Sequence, residues 1–165
     1  NITDGLDGLC GGLSMIAFVA LGIITWNTTW MEGYQEVAIF CFVLVGALLG
    51  FLLFNSHPAK VFMGDTGSLA LGGFVASTAF VLKMPIFIVI VGFIYLWESI
   101  TVMLQVGWFK WTKRKYGEGR RLFRMAPFHH HLEQCGWRET KVVTLFYVIT
   151  ALLCLIGFLG SKSMF

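Results

Sequence analysis

The chain has 165 residues, 57% of them hydrophobic and 13% charged, with a formal net charge of +3. A soluble domain carries about one-quarter charged residues, so a freely soluble globular fold is excluded. The mean hydropathy of +0.77 and the 16 phenylalanines indicate an all-α, polytopic integral membrane protein.

A membrane-crossing helix needs about 17 to 25 mostly apolar residues, and five such spans are expected. The first covers 10–26. A polar hairpin from Asn27 to Glu36 follows, with Trp30 and Tyr34 as interfacial aromatics. The second span covers 37–54, and a loop over 55–67 carries Pro58, Lys60 and Asp65. The third, 68–82, is short and glycine-rich. Lys83-Met84-Pro85 forms a turn, with Pro85 suited to the first turn of the next helix. The fourth span, 86–109, is long enough to tilt, kink or project from the bilayer. A basic loop covers 110–141, and the fifth span covers 142–159. These elements form one transmembrane domain, 1–165.

Charge sets the orientation. Lys110, Lys113, Arg114, Lys115, Arg120, Arg121, Arg124, Arg138 and Lys141 fall in the last loop, nine of the 12 basic residues. The positive-inside rule places that loop in the cytoplasm. Alternation then puts 1–9 and 55–67 on the same face. The opposite face has Lys83 and Lys162. Neither an initiator Met nor a signal-peptide pattern opens the chain. It is therefore expected to be the C-terminal part of a longer protein.

Three polar motifs share the cytoplasmic face. In Asn1-Ile-Thr-Asp-Gly-Leu-Asp-Gly-Leu9, Asp4 and Asp7 stand three apart and would share a face on a helical turn. Gly5 and Gly8 admit close backbone approach. The acid pair suits a cation, a sugar or a base, and equally a helix N-terminus. It does not fit an EF-hand loop. In Phe62-Met-Gly-Asp-Thr-Gly-Ser68, Asp65, Thr66 and Ser68 are candidate N-caps. The helix end behind them can hold anions. Asp65 also suits Mg²⁺, which typically takes one or two carboxylates plus substrate phosphates. A Walker A ending is absent.

Met125-Ala-Pro-Phe-His-His-His-Leu-Glu133 is expected to start a short helix at Pro127 that ends near Gly136. Three consecutive imidazoles on a helix point three ways, which argues against one compact zinc site. Beside Arg120, Arg121 and Arg124 they suit phosphate contact or proton transfer. A solvated basic loop at an anionic membrane is the simpler alternative.

Asn55 can bind a base or ribose, and the Phe62 ring can stack on a base. Each also serves as an ordinary cap or interface anchor. Glu98 falls inside the fourth span, where an ionisable group is a functional candidate or a buried structural one. Gly46-Ala-Leu-Leu-Gly50 fits helix packing. The four cysteines, 10, 41, 135 and 154, lack metal-type spacing and are expected as reduced thiols.

In their order, NITDGLDGL, FNSHPAKVFMGDTGSLALGG and FRMAPFHHHLE resemble the phospho-N-acetylmuramoyl-pentapeptide transferases of bacterial cell-wall synthesis, across the whole chain. The two acidic motifs recur in the wider polyprenyl-phosphate N-acetylhexosamine-1-phosphate transferase superfamily. The Met-Ala-Pro-x-His-His-His stretch is the more specific signal. The resemblance implies a Mg²⁺-dependent transfer of phospho-N-acetylmuramoyl-pentapeptide from its UDP carrier to undecaprenyl phosphate, giving lipid I and UMP. It implies that Asp65 binds the magnesium and that His129, His130 and His131 are catalytic. It places Asp4, Gly5, Leu6, Asp7, Asn55, Phe62 and Gly64 around the uridine and nucleoside-antibiotic pocket. It further implies a homodimer in the bacterial cytoplasmic (inner) membrane, with its active site toward the cytoplasm and no nucleic-acid partner. The family's paired aspartates and nucleotide-contacting lysine would lie before Asn1, so the chain alone is expected to be inactive. Attack by the lipid phosphate and attack by an enzyme aspartate both remain open.

Two other functions fit less of the pattern. A sibling transferase for another UDP-sugar lacks a use for the histidine triplet. A transporter fragment would place polar groups at the bilayer midplane, where only Glu98 is available.

Overall fold

The computed structural model describes residues 1–27, 34–83 and 85–164. Trp30 and Met84 lie outside the described residues. Among the described residues seven helices follow in order: α1 Leu9–Asn27, α2 Tyr34–Asn55, α3 Gly64–Leu82, α4 Pro85–Val91, α5 Phe93–Tyr116, α6 Phe128–Gln134 and α7 Glu139–Met164. The fold is all-α and polytopic: α1, α2, α3 and α7 are each long and apolar enough to cross a membrane.

Helix α1 is the centre. Of its apolar span, 72% is buried, against 17% for α2, 24% for α3 and 28% for α7. Small residues make this possible. A Cβ on Gly12 would fall 1.9 Å from Tyr147 Oη, and one on Gly22 would fall 3.0 Å from the Phe42 ring. Glycine thus lets α7 and α2 close on α1. One face of α1 packs Cys10, Phe18 and Leu21 with Cys41, Leu48 and Leu71. Another packs Leu9 and Leu13 with Val142, Val143 and Phe146. The outer faces of the surrounding helices remain apolar, with Leu53 81% and Phe80 85% exposed. Such surfaces suit lipid or further helices, not water.

Several sequence expectations need correction. The fourth run is not one span over 86–109. It divides at Gly92 into α4 and α5, and a Cβ there would meet the Ile88 carbonyl at 2.8 Å. Helix α5 then continues to Tyr116, seven residues into the expected basic loop. Its end is set by Gly117, whose φ is +77°. From there the chain folds back along α5. Thr112 Oγ1 accepts the Arg120 N–H at 2.9 Å, and Gln105 Oε1 accepts those of Leu122 and Phe123 at 3.1 and 2.9 Å. Glu98 accepts the Phe128 N–H at 2.9 Å. The 18 residues that follow Glu98, to Tyr116, span about 27 Å of helix, so much of α5 projects as an arm beyond the site.

Helix α3 starts at Gly64, four residues before the expected span. Gly64 takes a φ of +65°, which a residue with a side chain rarely adopts. The helix therefore begins without a side-chain N-cap. Asp65 and Thr66 fall inside its first turn, and the Ser68 hydroxyl donates back to the Gly64 carbonyl at 3.0 Å. Tyr34 is buried rather than interfacial, and its hydroxyl donates to the Leu82 carbonyl at 3.2 Å. Gly46 and Gly50 face open space in this chain, so its own packing does not use the GxxxG pattern. Pro85 begins α4, and α6 lies between Pro127 and Gly136, as the sequence indicates. Cys10, Cys41, Cys135 and Cys154 are free thiols.

Candidate active site

The starts of α1, α3 and α7 and the end of α2 meet at one end of the bundle, and the motifs meet there. The first motif forms successive turns, not a helix, so Asp4 and Asp7 diverge. The Asp4 N–H donates to the Asn1 carbonyl at 2.9 Å, and Asn1 Nδ2 donates to Asp65 Oδ1 at 2.7 Å. Motifs one and two are thus joined directly. Burial, with a smaller contribution from the Asp65 charge, pushes the Asp4 carboxyl above its ordinary value of 3.8. A second carboxylate near Asp4 favours a cation there.

Asp7 faces the other way. Its Oδ2 accepts the Ala59 N–H at 2.9 Å and the His57 imidazole at 3.2 Å. His57 also reaches Glu139 Oε2 at 3.4 Å, while Glu139 Oε1 accepts the Asp7 N–H at 2.6 Å. The ligand atoms of Asp7, His57 and Glu139 lie within 4.8 Å of one another. A metal could fit such a set, but four of its contacts already use backbone N–H groups or the shared imidazole. It reads as a knot tying the first motif, the 55–63 loop and α7 together. A hard Mg²⁺ ion prefers all-oxygen ligands, which this knot, with its imidazole, does not supply.

Asn55 is buried and its amide is occupied within the chain. Oδ1 accepts the Gly8 N–H at 3.1 Å, and Nδ2 donates to the Val61 carbonyl at 2.8 Å. The side chain ties the first motif to the 55–63 loop. Phe62 is 75% exposed, a ring open to stacking. Gly5 and Asp65 are also exposed, whereas Leu6 is buried among Leu9, Leu13 and Val142.

The histidines separate as helix geometry requires. His129 is fully buried and donates from Nδ1 to Glu98 Oε2 at 2.9 Å. Glu98 is also fully buried and lies at the level of the third motif. Among the described residues His129 Nε2 and Glu98 Oε1 have no hydrogen-bond partner, a state that costs about 1–3 kcal/mol per group. His130 is partly exposed and donates from Nδ1 to Glu133 Oε2 at 2.6 Å. His131 accepts the Arg124 N–H at 3.2 Å. The Arg124 guanidinium donates to the Gln134 carbonyl at 2.7 Å, capping the end of α6. Motif three meets motif one at Gly5, where a Cβ would lie 2.3 Å from His129 Nε2 and 3.2 Å from His130 Nε2.

Sequence reasoning did not single out His57, Glu139 or Tyr147. His57 sits within a recognised motif loop, which was its available signal. Nothing local marked Glu139, or Tyr147, whose hydroxyl donates to the Gly8 carbonyl at 2.5 Å.

Acids, imidazoles and an open aromatic gathered at one end of an apolar helix bundle define a class: a multi-pass membrane protein with a polar cluster at one end of its helices. Residues 1–83 match the glycosyl transferase family 4 profile, and the chain belongs to that family. It is similar to the phospho-N-acetylmuramoyl-pentapeptide-transferase of Clostridium botulinum (strain Eklund 17B / Type B), with 52% identity over 160 residues, covering 97% of this chain and 46% of that protein. The Clostridium novyi (strain NT) protein of that name is 50% identical over 164 residues, covering 99% and 47%. That of Clostridium perfringens (strain 13 / Type A) is 53% identical over 158 residues, covering 96% and 47%. The chain spans about half the length of the curated relatives it matches.

Proposed function

We propose that this chain, within its full-length protein, forms part of a phospho-N-acetylmuramoyl-pentapeptide transferase. The enzyme moves the sugar phosphate from UDP to undecaprenyl phosphate and releases UMP and lipid I. The observation that carries the reading is the meeting of all three motifs: Asn1 on Asp65 at 2.7 Å, Asp7 on the 55–63 loop, and Gly5 against His129 and His130. One substrate is a soluble nucleotide and the other a lipid phosphate, so they must meet at a membrane surface. Phosphoryl transfer is chiefly positioning and charge neutralisation, which this end of the bundle supplies.

In this reading Asp65 holds Mg²⁺, with Asp4 adding negative charge beside it. Bound magnesium would neutralise diphosphate charge. Phe62 stacks on the uracil, and Gly5 and Gly64 leave room for the nucleotide. Asn55, Asp7 and Leu6 shape that pocket through the contacts they already make. His130 is the imidazole open to the phosphates. The site faces the cytoplasm of a bacterial inner membrane, and the same pocket takes nucleoside antibiotics. The protein works as a homodimer.

The test is UMP release by the purified full-length protein. Turnover of UDP-N-acetylmuramoyl-pentapeptide, abolished by Asp65→Asn with expression retained, is expected. Turnover of UDP-N-acetylglucosamine but not of the muramoyl-pentapeptide nucleotide would instead assign a sibling transferase. Normal turnover by Asp65→Asn would remove Asp65 from the site.

A further inference from the structure

Two imidazoles of the third motif are held in the same manner by different carboxylates. Glu98, from α5, takes His129 Nδ1 at 2.9 Å, and Glu133, one turn along α6, takes His130 Nδ1 at 2.6 Å. An ionised carboxylate accepts, so each Nδ1 carries a proton, and in that tautomer Nε2 is the lone-pair acceptor. Both Nε2 atoms lie against one place, 2.3 and 3.2 Å from the position a Cβ on Gly5 would take. The rings lie 4.3 Å apart between centroids. His131 is excluded from this pairing, because its Nδ1 accepts the Arg124 N–H.

We propose that Glu98 is a positioning residue of the transferase site. It fixes the tautomer and direction of His129, so that the buried ring backs the partly exposed His130 at the Gly5 turn. The burial of both partners supports this role: each side chain is at most 1% exposed. Glu98 also accepts the Phe128 N–H and thus fixes α6 and its first imidazole together. Among the described residues His129 Nε2 has no hydrogen-bond partner, and it lies against the Gly5 turn. The role of Glu98 in turnover rests on the reaction proposed above; the tautomer it imposes does not.

The experiment has two arms on the full-length protein in detergent micelles. In the first, ¹⁵N-histidine NMR reads the tautomers, with His129→Gln identifying the His129 signals. Wild type is expected to show His129 protonated at Nδ1 and bare at Nε2, with that pattern lost in Glu98→Gln and the His130 pattern kept. A wild-type His129 without a proton on Nδ1, or a tautomer unchanged in Glu98→Gln, would overturn the proposal. This arm holds even if the preparation releases no UMP.

The second arm measures UMP release. Glu98→Gln should lower kcat about 10- to 100-fold, the order of loss when an outer partner of a metal-bound imidazole is removed. KM for the nucleotide should be unchanged. The double variant Glu98→Gln/His129→Gln should be no slower than His129→Gln alone, as for residues acting as a unit. Additive losses would mean that Glu98 does not act through His129. Absence of UMP release in wild type, with the expected tautomers, would sink the proposed reaction and confine Glu98 to setting the imidazole.

Discussion

Gly5→Ala tests the junction between the acidic turn and the histidine helix. The backbone at residue 5 is not left-handed, so alanine suffers no φ penalty there; the whole effect comes from its methyl group. That carbon would lie 2.3 Å from His129 Nε2, where ordinary contact begins at 3.4 Å. The turn or the ring must yield by about 1.1 Å. The ring cannot swing freely, because it is fully buried and hydrogen-bonded to Glu98. Overpacking costs about 1–3 kcal/mol, and losing a hydrogen bond to a charged group costs about 1.5–3 kcal/mol. These are alternative ways to relieve one clash, so the expected destabilisation is about 2–3 kcal/mol. The assay is thermal unfolding of the full-length protein at one fixed scan rate, since the apparent Tm of an irreversible transition depends on that rate. Gly5→Ala should lower Tm by several degrees. In a His129→Ala background the obstructing ring is gone, and Gly5→Ala should then have almost no effect. Equal Tm shifts in the two backgrounds would refute the placement of His129 against the turn.

The α1–α7 crossing makes a parallel prediction. Gly12→Ala would drive a methyl into the Tyr147 hydroxyl and should destabilise by about 1–3 kcal/mol. Tyr147→Phe should cost about 1 kcal/mol through the lost hydrogen bond to Gly8, both read as Tm. Phe62→Ala should leave Tm unchanged, because the ring is 75% exposed, while raising KM for the uridine nucleotide by about 10-fold or more, from a stacking contact worth about 1–3 kcal/mol. Asp4 carries a pH signature. Its folded carboxyl titrates above 3.8, so the native state holds the proton more tightly than the unfolded chain. Ionised Asp4 therefore costs stability, beginning as pH rises past 3.8 and complete above the raised value. Asp4→Asn should raise Tm at neutral pH without added magnesium, with the gain vanishing below pH 3.8; a gain independent of pH would contradict the burial of that carboxyl.

The sequence by itself determined the class and the places where chemistry gathers. Apolar runs long enough to cross a bilayer can bury their backbone hydrogen bonds only as helices, so most spans followed from composition and order. Motifs such as the acidic turn and the histidine triplet were legible because so many polar side chains are costly beside lipid. Helix ends were less so, because Gly64 and Gly92 act through backbone geometry rather than side-chain pattern. What one residue meets across the fold was not legible at all. Glu98 and His129 are 31 positions apart, and only the return of the chain along α5 brings them together. Asp7 and Glu139 join over 132 positions. The value of Gly5 and Gly12 is likewise the absence of a carbon atom where another helix's ring lies. Periodicity records what a helix does with its own neighbours; these contacts come from how separate helices pack, and that was decided by the tertiary structure.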